Sequence, residues 1–251
     1  MSVSRETSED DLPGQSELAS AIDRQARELG IELREQAAAA LAMHLQAVLR
    51  RNESLNLTSI DDPLEAARLH VVDSLTLLIA LQPPVGPALD IGSGGGFPGI
   101  PVALCSGIPV TLLEATRKKA SFLAEVVELL GVSDQVQVVA QRAEEHALQE
   151  GASYATIMAR AVAGLPSLVE LSAPLMEPGA RFVAMKGRLR LEERERGAEA
   201  ARIVGLEESR VIRLELPAGG ERRTIVVYER TGRPTVELPR RIGAAQKRPL
   251  A

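Results

Sequence analysis

Leu18, Ile22, Ala26 and Leu29 recur at helical spacing, and Gly30 follows as a stop signal. Leu41, Leu45, Val48 and Leu49 mark one side of a second, alanine-rich helix over residues 34–51. A polar loop comes next, and Asp62 then reads as an N-cap. Pro63 suits the first helical position, and Glu65 completes an arrangement like a capping box. That third helix runs to about residue 81 and stops before Pro83-Pro84. Everything up to these prolines reads as helical.

From Val85 the pattern changes. Short apolar runs at 88–91, 110–113, 136–139, 155–158 and 181–185 predict five strands, with helical stretches between them, notably 117–130 and 165–176. Strands alternating with helices imply right-handed crossovers and a parallel sheet covered on both faces. A charged helix over 189–202 precedes two β-rich runs, 209–216 and 222–229. Pro217-Ala218-Gly219-Gly220 turns between them, which predicts a hairpin. The expected fold class is α/β, a doubly wound, Rossmann-like sheet with a small helical N-terminal extension. Its expected divisions are a disordered acidic tail (1–15), a helical region (16–82), the α/β domain (83–230) and a disordered basic tail (231–251).

A length of 251 residues suits one large domain or one with a small extension. Hydrophobic residues at 45% and charged residues at 25% are ordinary for a soluble chain with a sizeable core. Aromatic residues at 2% argue against modules that stack several bases on rings. Cys105 is the single cysteine, which excludes an internal disulfide or a cysteine zinc site. His44, His70 and His146 are too scattered to suggest metal ligation, so no metal is expected. There is no apolar run of about 18 residues and the N-terminus is polar, so a cytoplasmic, membrane-free protein is expected, and a monomer.

The net charge of −5 is unevenly placed. Residues 1–15 set Arg5 against Glu6, Glu9, Asp10 and Asp11, whereas 231–251 set Arg233, Arg240, Arg241, Lys247 and Arg248 against Glu237. The basic tail reads either as an arm within reach of phosphates or as a solubilising segment.

Candidate chemistry centres on the run from Asp90 to Pro101, where Gly92, Gly94, Gly95, Gly96 and Gly99 follow the first strand and open a helix. Glycines there let the backbone turn sharply and approach a ligand beyond the carboxyl ends of the strands. Gly94 to Gly99 matches the dinucleotide fingerprint literally. But the strand ends at Ile91, which makes Gly92 the first turn glycine. Read from there, the pattern Asp-x-Gly-x-Gly-x-Gly is that of class I S-adenosylmethionine methyltransferases, and Phe97 stands where a dinucleotide site wants a packing glycine. Glu114 ends the second strand about 20 residues on, suited to ribose hydroxyls in either reading. Ala143 and Glu144 follow the third strand and Arg160 ends the fourth. The Asn/Asp-Pro-Pro-aromatic motif of many amine methylases is missing after that strand, which points to an acceptor that is already nucleophilic.

Together these residues resemble the RsmG (GidB) family of 16S rRNA guanine-N7 methyltransferases over residues 20–229. The likeness is carried by Asn56-Leu57-Thr58-Ser59, Arg68 to Ser74, Asp90 to Pro101, Arg117-Lys118-Lys119, Phe122-Leu123, Arg142-Ala143-Glu144, Arg160-Ala161 and Lys186-Gly187. The resemblance implies methyl transfer from S-adenosylmethionine to rRNA of the small subunit. It implies cofactor contacts at Gly92, Phe97, Ala143, Glu144 and Arg160. To these the loop pattern and the strand-end rule add Asp90, Gly94 and Glu114.

Guanine N7 carries an in-plane lone pair and no proton, so its alkylation needs alignment and exclusion of water rather than a general base. Arg160 is the expected orienting residue, through its planar fork of donors. His70 and Asp73, three apart, are expected to share a helix face. Arg68, His70, Arg117, Lys118, Lys119, Lys186 and Arg188 are expected to form a cationic rim for RNA. A nicotinamide dehydrogenase and a non-catalytic nucleotide-binding ribosome-assembly factor remain the competing readings.

Overall fold

The computed structural model describes residues 13–34 and 36–251. Its helices are α1 (Gln15–Glu28), α2 (Ala37–Leu55), α3 (Pro63–Ala66), α4 (Asp73–Leu75), α5 (Leu77–Ala80), α6 (Gly99–Ser106), α7 (Arg117–Leu129), α8 (Ala143–Glu150), α9 (Leu165–Ser172), α10 (Leu191–Val204) and α11 (Ala244–Lys247). The strands are β1 (Ala88–Ile91), β2 (Val110–Leu113), β3 (Val136–Val139), β4 (Tyr154–Arg160), β5 (Met176–Lys186), β6 (Leu206–Glu215) and β7 (Arg222–Arg230).

They form one sheet in the order β3-β2-β1-β4-β5-β7-β6. β1 to β5 pair in parallel, and β7 runs antiparallel between β5 and β6. Ile157, Met158 and Ala159 are all buried because successive side chains enter opposite layers, Met158 one and its two neighbours the other. One layer packs α1, α2 and the helices before β1 against the sheet. The other is built on α8, α9 and α10. The helical N-terminal residues therefore share a core with the sheet. The chain leaves β1 toward β2 on one side and returns to β4 on the other. This reversal opens a crevice at the carboxyl ends of β1 and β4.

Some elements differ from expectation, each for a local reason. The third helix is continuous in space but contains a π-helical stretch, Ala67–Val72. The helix expected to end at 176 ends at Ser172, where Ala173–Leu175 tightens to a 3-10 turn, and β5 begins at Met176. Gly205, in the left-handed conformation, ends α10 and lets β6 start at Leu206. The acidic tail expected over 1–15 lies outside the described residues as far as residue 12, and Gln15 already belongs to α1. The basic segment 231–251, expected to be disordered, is instead folded against the domain. It is packed on the α9 and α10 layer, with Leu238, Ala245 and Leu250 joining that core. Its apolar positions are too sparse to show a periodicity, but they suffice to seat it once the layer exists.

Candidate active site

Gly92 leaves β1 with φ +72°, and a Cβ there would meet Val162 at 2.6 Å. Its N–H donates to Leu113 O at 2.8 Å, which ties the turn to the end of β2. Gly94 is also left-handed, and its N–H donates to Glu114 Oε2 at 3.0 Å. The other oxygen of Glu114 accepts from Thr116 N–H at 2.7 Å. Glu114 thus faces the glycine turn, on the wall of a cavity of about 360 Å³ with Gly92, Gly94, Phe97, Lys119 and Arg160. That volume falls within the ~300–1,000 Å³ range of small-molecule sites.

Asp90 lies beneath this wall, fully buried, and its Oδ2 accepts from Gly99 N–H at 3.0 Å. It holds the start of α6 under the glycine turn and does not line the cavity. Burial raises its carboxyl to about 7, against the opposing Gly99 N–H and Ser93 hydroxyl. Ala143 lines a smaller crevice of about 70 Å³ with Ile91, Gly92, Leu113 and Gln141, on the far side of Gly92. Glu144 borders the same crevice, but its Oε1 is engaged by Gly243 N–H at 2.7 Å.

Over the glycine turn stands an aromatic stack. Phe97 lies against His44 at 4.4 Å and His70 at 5.2 Å between ring centroids, with the Arg160 guanidinium 5.5 Å from its centre. Asn56 ends α2 at φ +49°, and Asn52 Oδ1 accepts from Leu57 and Thr58 N–H at 2.7 and 2.8 Å. That turn aims Thr58 Oγ1 at His70 Nε2, 2.6 Å away. On its other side His70 Nδ1 lies 3.4 Å from Arg160 Nη2. A guanidinium can only donate, so Nδ1 accepts and Nε2 carries the proton. Burial, the Arg160 charge and His44 push His70 down to about 4, in keeping with that neutral tautomer. Burial also lowers His44 to about 4, while Gly95 O accepts from its Nε2 at 2.7 Å.

Arg160 Nη1 donates to Leu69 O at 2.9 Å and to Asp73 Oδ2 at 3.3 Å. Asp73 Oδ1 accepts from Arg223 Nε at 2.9 Å, so one buried carboxylate joins two guanidinium groups. His70 lies in the π-helical stretch and Asp73 opens the α-helix after it, and both meet Arg160. Insertions of this kind often mark functional sites. The floor so formed belongs to a second cavity of about 390 Å³, lined by Asp73, Lys186 and Arg223. Arg160, His70 and Ala161 line both cavities.

The expected cationic rim divides. Lys119 lines the first cavity and Lys186 the second, although Lys186 pairs with Glu193 at 2.8 Å. Arg117 and Lys118 are exposed, and Arg188 borders an arginine-rich hollow with Arg213, Arg222 and Arg223. Arg68 departs from expectation: its guanidinium is engaged by both oxygens of Glu221, one contact at 2.8 Å, which spends its donors on holding the hairpin turn. Arg223 escaped the sequence reading. Its one signal was a charged residue at the start of a strand whose following five residues are buried.

A sheet of this order, with a glycine turn at its reversal and an acid closing β2, is the class I S-adenosylmethionine-dependent methyltransferase fold. Solved structures agree. The O-methyltransferase from Bacillus cereus, in complex with S-adenosylhomocysteine, is similar at TM-score 0.55 and 20% identity, over 82% of this chain and 96% of that one. TomG, an O-methyltransferase from Streptomyces achromogenes, is similar at 0.55 and 20%, over 88% and 100%. Residues 37–225 match the family described as rRNA small subunit methyltransferase G (GidB). Ribosomal RNA small subunit methyltransferase G of Pelotomaculum thermopropionicum is 39% identical over 239 residues, 94% of this chain and 100% of the relative. That of Chloroflexus aggregans is 38% identical over 88% of this chain and 93% of the relative. The chain belongs to this family. The dehydrogenase reading of Gly94 to Gly99 falls with that assignment.

Proposed function

We propose that the protein transfers a methyl group from S-adenosylmethionine to N7 of a guanine in the 16S rRNA of the small ribosomal subunit. The observation that carries this reading is the pair of adjoining cavities with Arg160, His70 and Ala161 in their common wall. The first suits the cofactor: Gly92, Gly94 and Phe97 form an uncharged cradle, and Glu114 offers two carboxylate oxygens to ribose hydroxyls. Ala143 borders the base side, and Asp90 supports the cradle from below. When bound, S-adenosylmethionine supplies a methyl carbon activated by an attached sulfonium.

The second cavity takes the acceptor. Asp73 between Arg160 and Arg223 leaves one surplus positive charge on its floor, which suits guanine O6 or a neighbouring phosphate. Arg160 acts there as the catalytic residue that orients the base, its own fork fixed by Leu69 O and Asp73. His70, neutral and with Nδ1 committed to Arg160, is not placed to take up a proton, and N7 alkylation releases none. Arg117, Lys118, Lys119, Lys186 and Arg188 would draw the RNA backbone toward the cleft. The reading has the protein work in the cytoplasm, as a monomer and without a metal.

Mass mapping of 16S rRNA from cells with and without this protein tests the reading. One N7-methylguanosine should vanish without it and return when purified protein and S-adenosylmethionine are added to the undermodified subunits. Binding of subunits with no methyl gained would favour the non-catalytic assembly factor instead.

A further inference from the structure

Residues 231–251 do more than cover the back of the sheet. Gly205 O accepts from Thr231 and Gly232 N–H, and Thr235 N–H donates to Ile203 O at 2.8 Å, so the chain is first tied across the end of α10. Arg240 then grips Glu170 of α9 with two hydrogen bonds of 2.6 Å, and Glu170 is 3% exposed. The same guanidinium donates to Arg248 O at 2.7 Å, while Gly243 N–H is held by Glu144. The short helix α11 is thereby clamped at both ends, with Ala245 buried beneath it. Gln246, on its exposed side, lines the crevice of Ile91, Leu113, Gln141 and Ala143.

A solubilising tail needs none of these anchors. A two-pronged guanidinium–carboxylate pair at a buried acid fixes position and orientation together. It delivers a carboxamide to the crevice that adjoins Gly92 on the side of the third strand. A carboxamide offers a donor and an acceptor side by side, the complement of adenine's amino group and neighbouring ring nitrogen.

We infer that residues 239–248 form a strap over the base side of the cofactor cleft, and that Gln246 recognises the adenine edge. The inference rests on the cofactor placement proposed above. It also gives Glu144 its role: this acid anchors the strap through Gly243 and reaches the cofactor through Gln246.

Calorimetry on the full chain tests this with S-adenosylhomocysteine and with its 6-deamino analogue, in which hydrogen replaces the amino group and leaves the carboxamide oxygen without a donor to accept from. Gln246→Ala changes an exposed side chain, so the fold and its Tm should be unaffected. It should weaken S-adenosylhomocysteine binding about tenfold, the loss expected for a pair of hydrogen bonds, and shrink the preference over the deamino compound. Arg240→Lys, which keeps the charge but not the fork, should weaken binding in the same direction. Hydrogen exchange at residues 243–248 should slow when the wild type binds S-adenosylhomocysteine. A Gln246→Ala protein with wild-type affinity and preference overturns the inference, as does a weaker one with unchanged preference. Wild-type protein that binds neither compound overturns the cofactor placement itself.

Discussion

The two cavities that meet at Arg160 are built in opposite ways. The wall of the first, proposed for the cofactor, is local. Gly92, Gly94 and Glu114 sit at the ends of the adjacent strands β1 and β2, and its polar contacts are backbone N–H groups meeting one carboxylate. The floor of the second, proposed for the acceptor, is assembled from distant segments. Thr58, His70, Asp73, Arg160 and Arg223 meet through side chains, and the Asp73–Arg223 contact spans 150 residues of sequence. A wall made of backbone tolerates most chemistry nearby but not an added Cβ where the turn is left-handed and crowded, as at Gly92 and Gly96. A floor made of shared charges fails as a unit when one member changes, because each removal strands a buried partner.

The largest effect should come from the floor. Arg160→Lys keeps the charge yet loses the fork that reaches Leu69 O, Asp73 and His70 together. Methyl transfer to undermodified subunits should fall about 100-fold in kcat/KM, since misplacement of about 1 Å is enough for that. S-adenosylhomocysteine affinity should change less. Wild-type turnover in this variant would show that the floor is no network.

The wall should break at a methyl group. In Gly96→Ala the new Cβ would meet Ile100 at 2.6 Å and His44 Nε2 at 2.9 Å, at a φ of +92°. Thermal unfolding should report a loss of about 1–3 kcal/mol. Gly95→Ala, next door, meets nothing nearer than 3.5 Å and should be nearly neutral. Equal losses at the two positions would mean that the turn is not the rigid part.

Glu114→Ala removes the carboxylate that Gly94 and Thr116 now share and that ribose would use. Affinity for S-adenosylhomocysteine should fall about tenfold by calorimetry, in the range for hydrogen bonds to a charged group. Glu114→Gln, which keeps an acceptor, should lose less. An alanine variant with unaltered affinity would remove the acid from the site.

A last test separates the regions by pH. Unfolded histidines protonate near pH 6.5, whereas burial holds His44 and His70 down to about 4. Between those values the unfolded chain binds more protons, so these two groups destabilise the fold as pH drops from ~6.5 to ~4. Asp90 acts in reverse. Its unfolded value is ~3.9 and its folded value about 7, so the folded protein holds the extra proton in that window and gains stability as pH falls. Asp90→Asn deletes the compensating contribution and should steepen the acid loss, read as urea midpoints near pH 7 and pH 4.5. A shallower loss would place the controlling group elsewhere.

What could be read from the chain follows the same division. The strands, the glycine turn, Glu114 and the N-cap at Asp62 were legible because each depends on neighbours close in sequence. The π-helical stretch at Ala67–Val72 was not, since its pattern of apolar residues also suits an ordinary helix. Arg68 and Lys119 look alike as isolated cations. Only the hairpin turn carrying Glu221 separates the paired one from the one in the cleft.

The sequence by itself determined the order of strands and helices, the glycine turn after the first strand and the acid that ends the second, because hydrophobic period and glycine conformational freedom act over a few residues. Tertiary structure decided which charges stay free. It set Asp73 between Arg160 and Arg223, tied Arg68 to Glu221, and fastened the basic C-terminal segment to Glu170. Electrostatic partners are chosen by distance and burial after the chain has folded, and spacing along the sequence encodes neither.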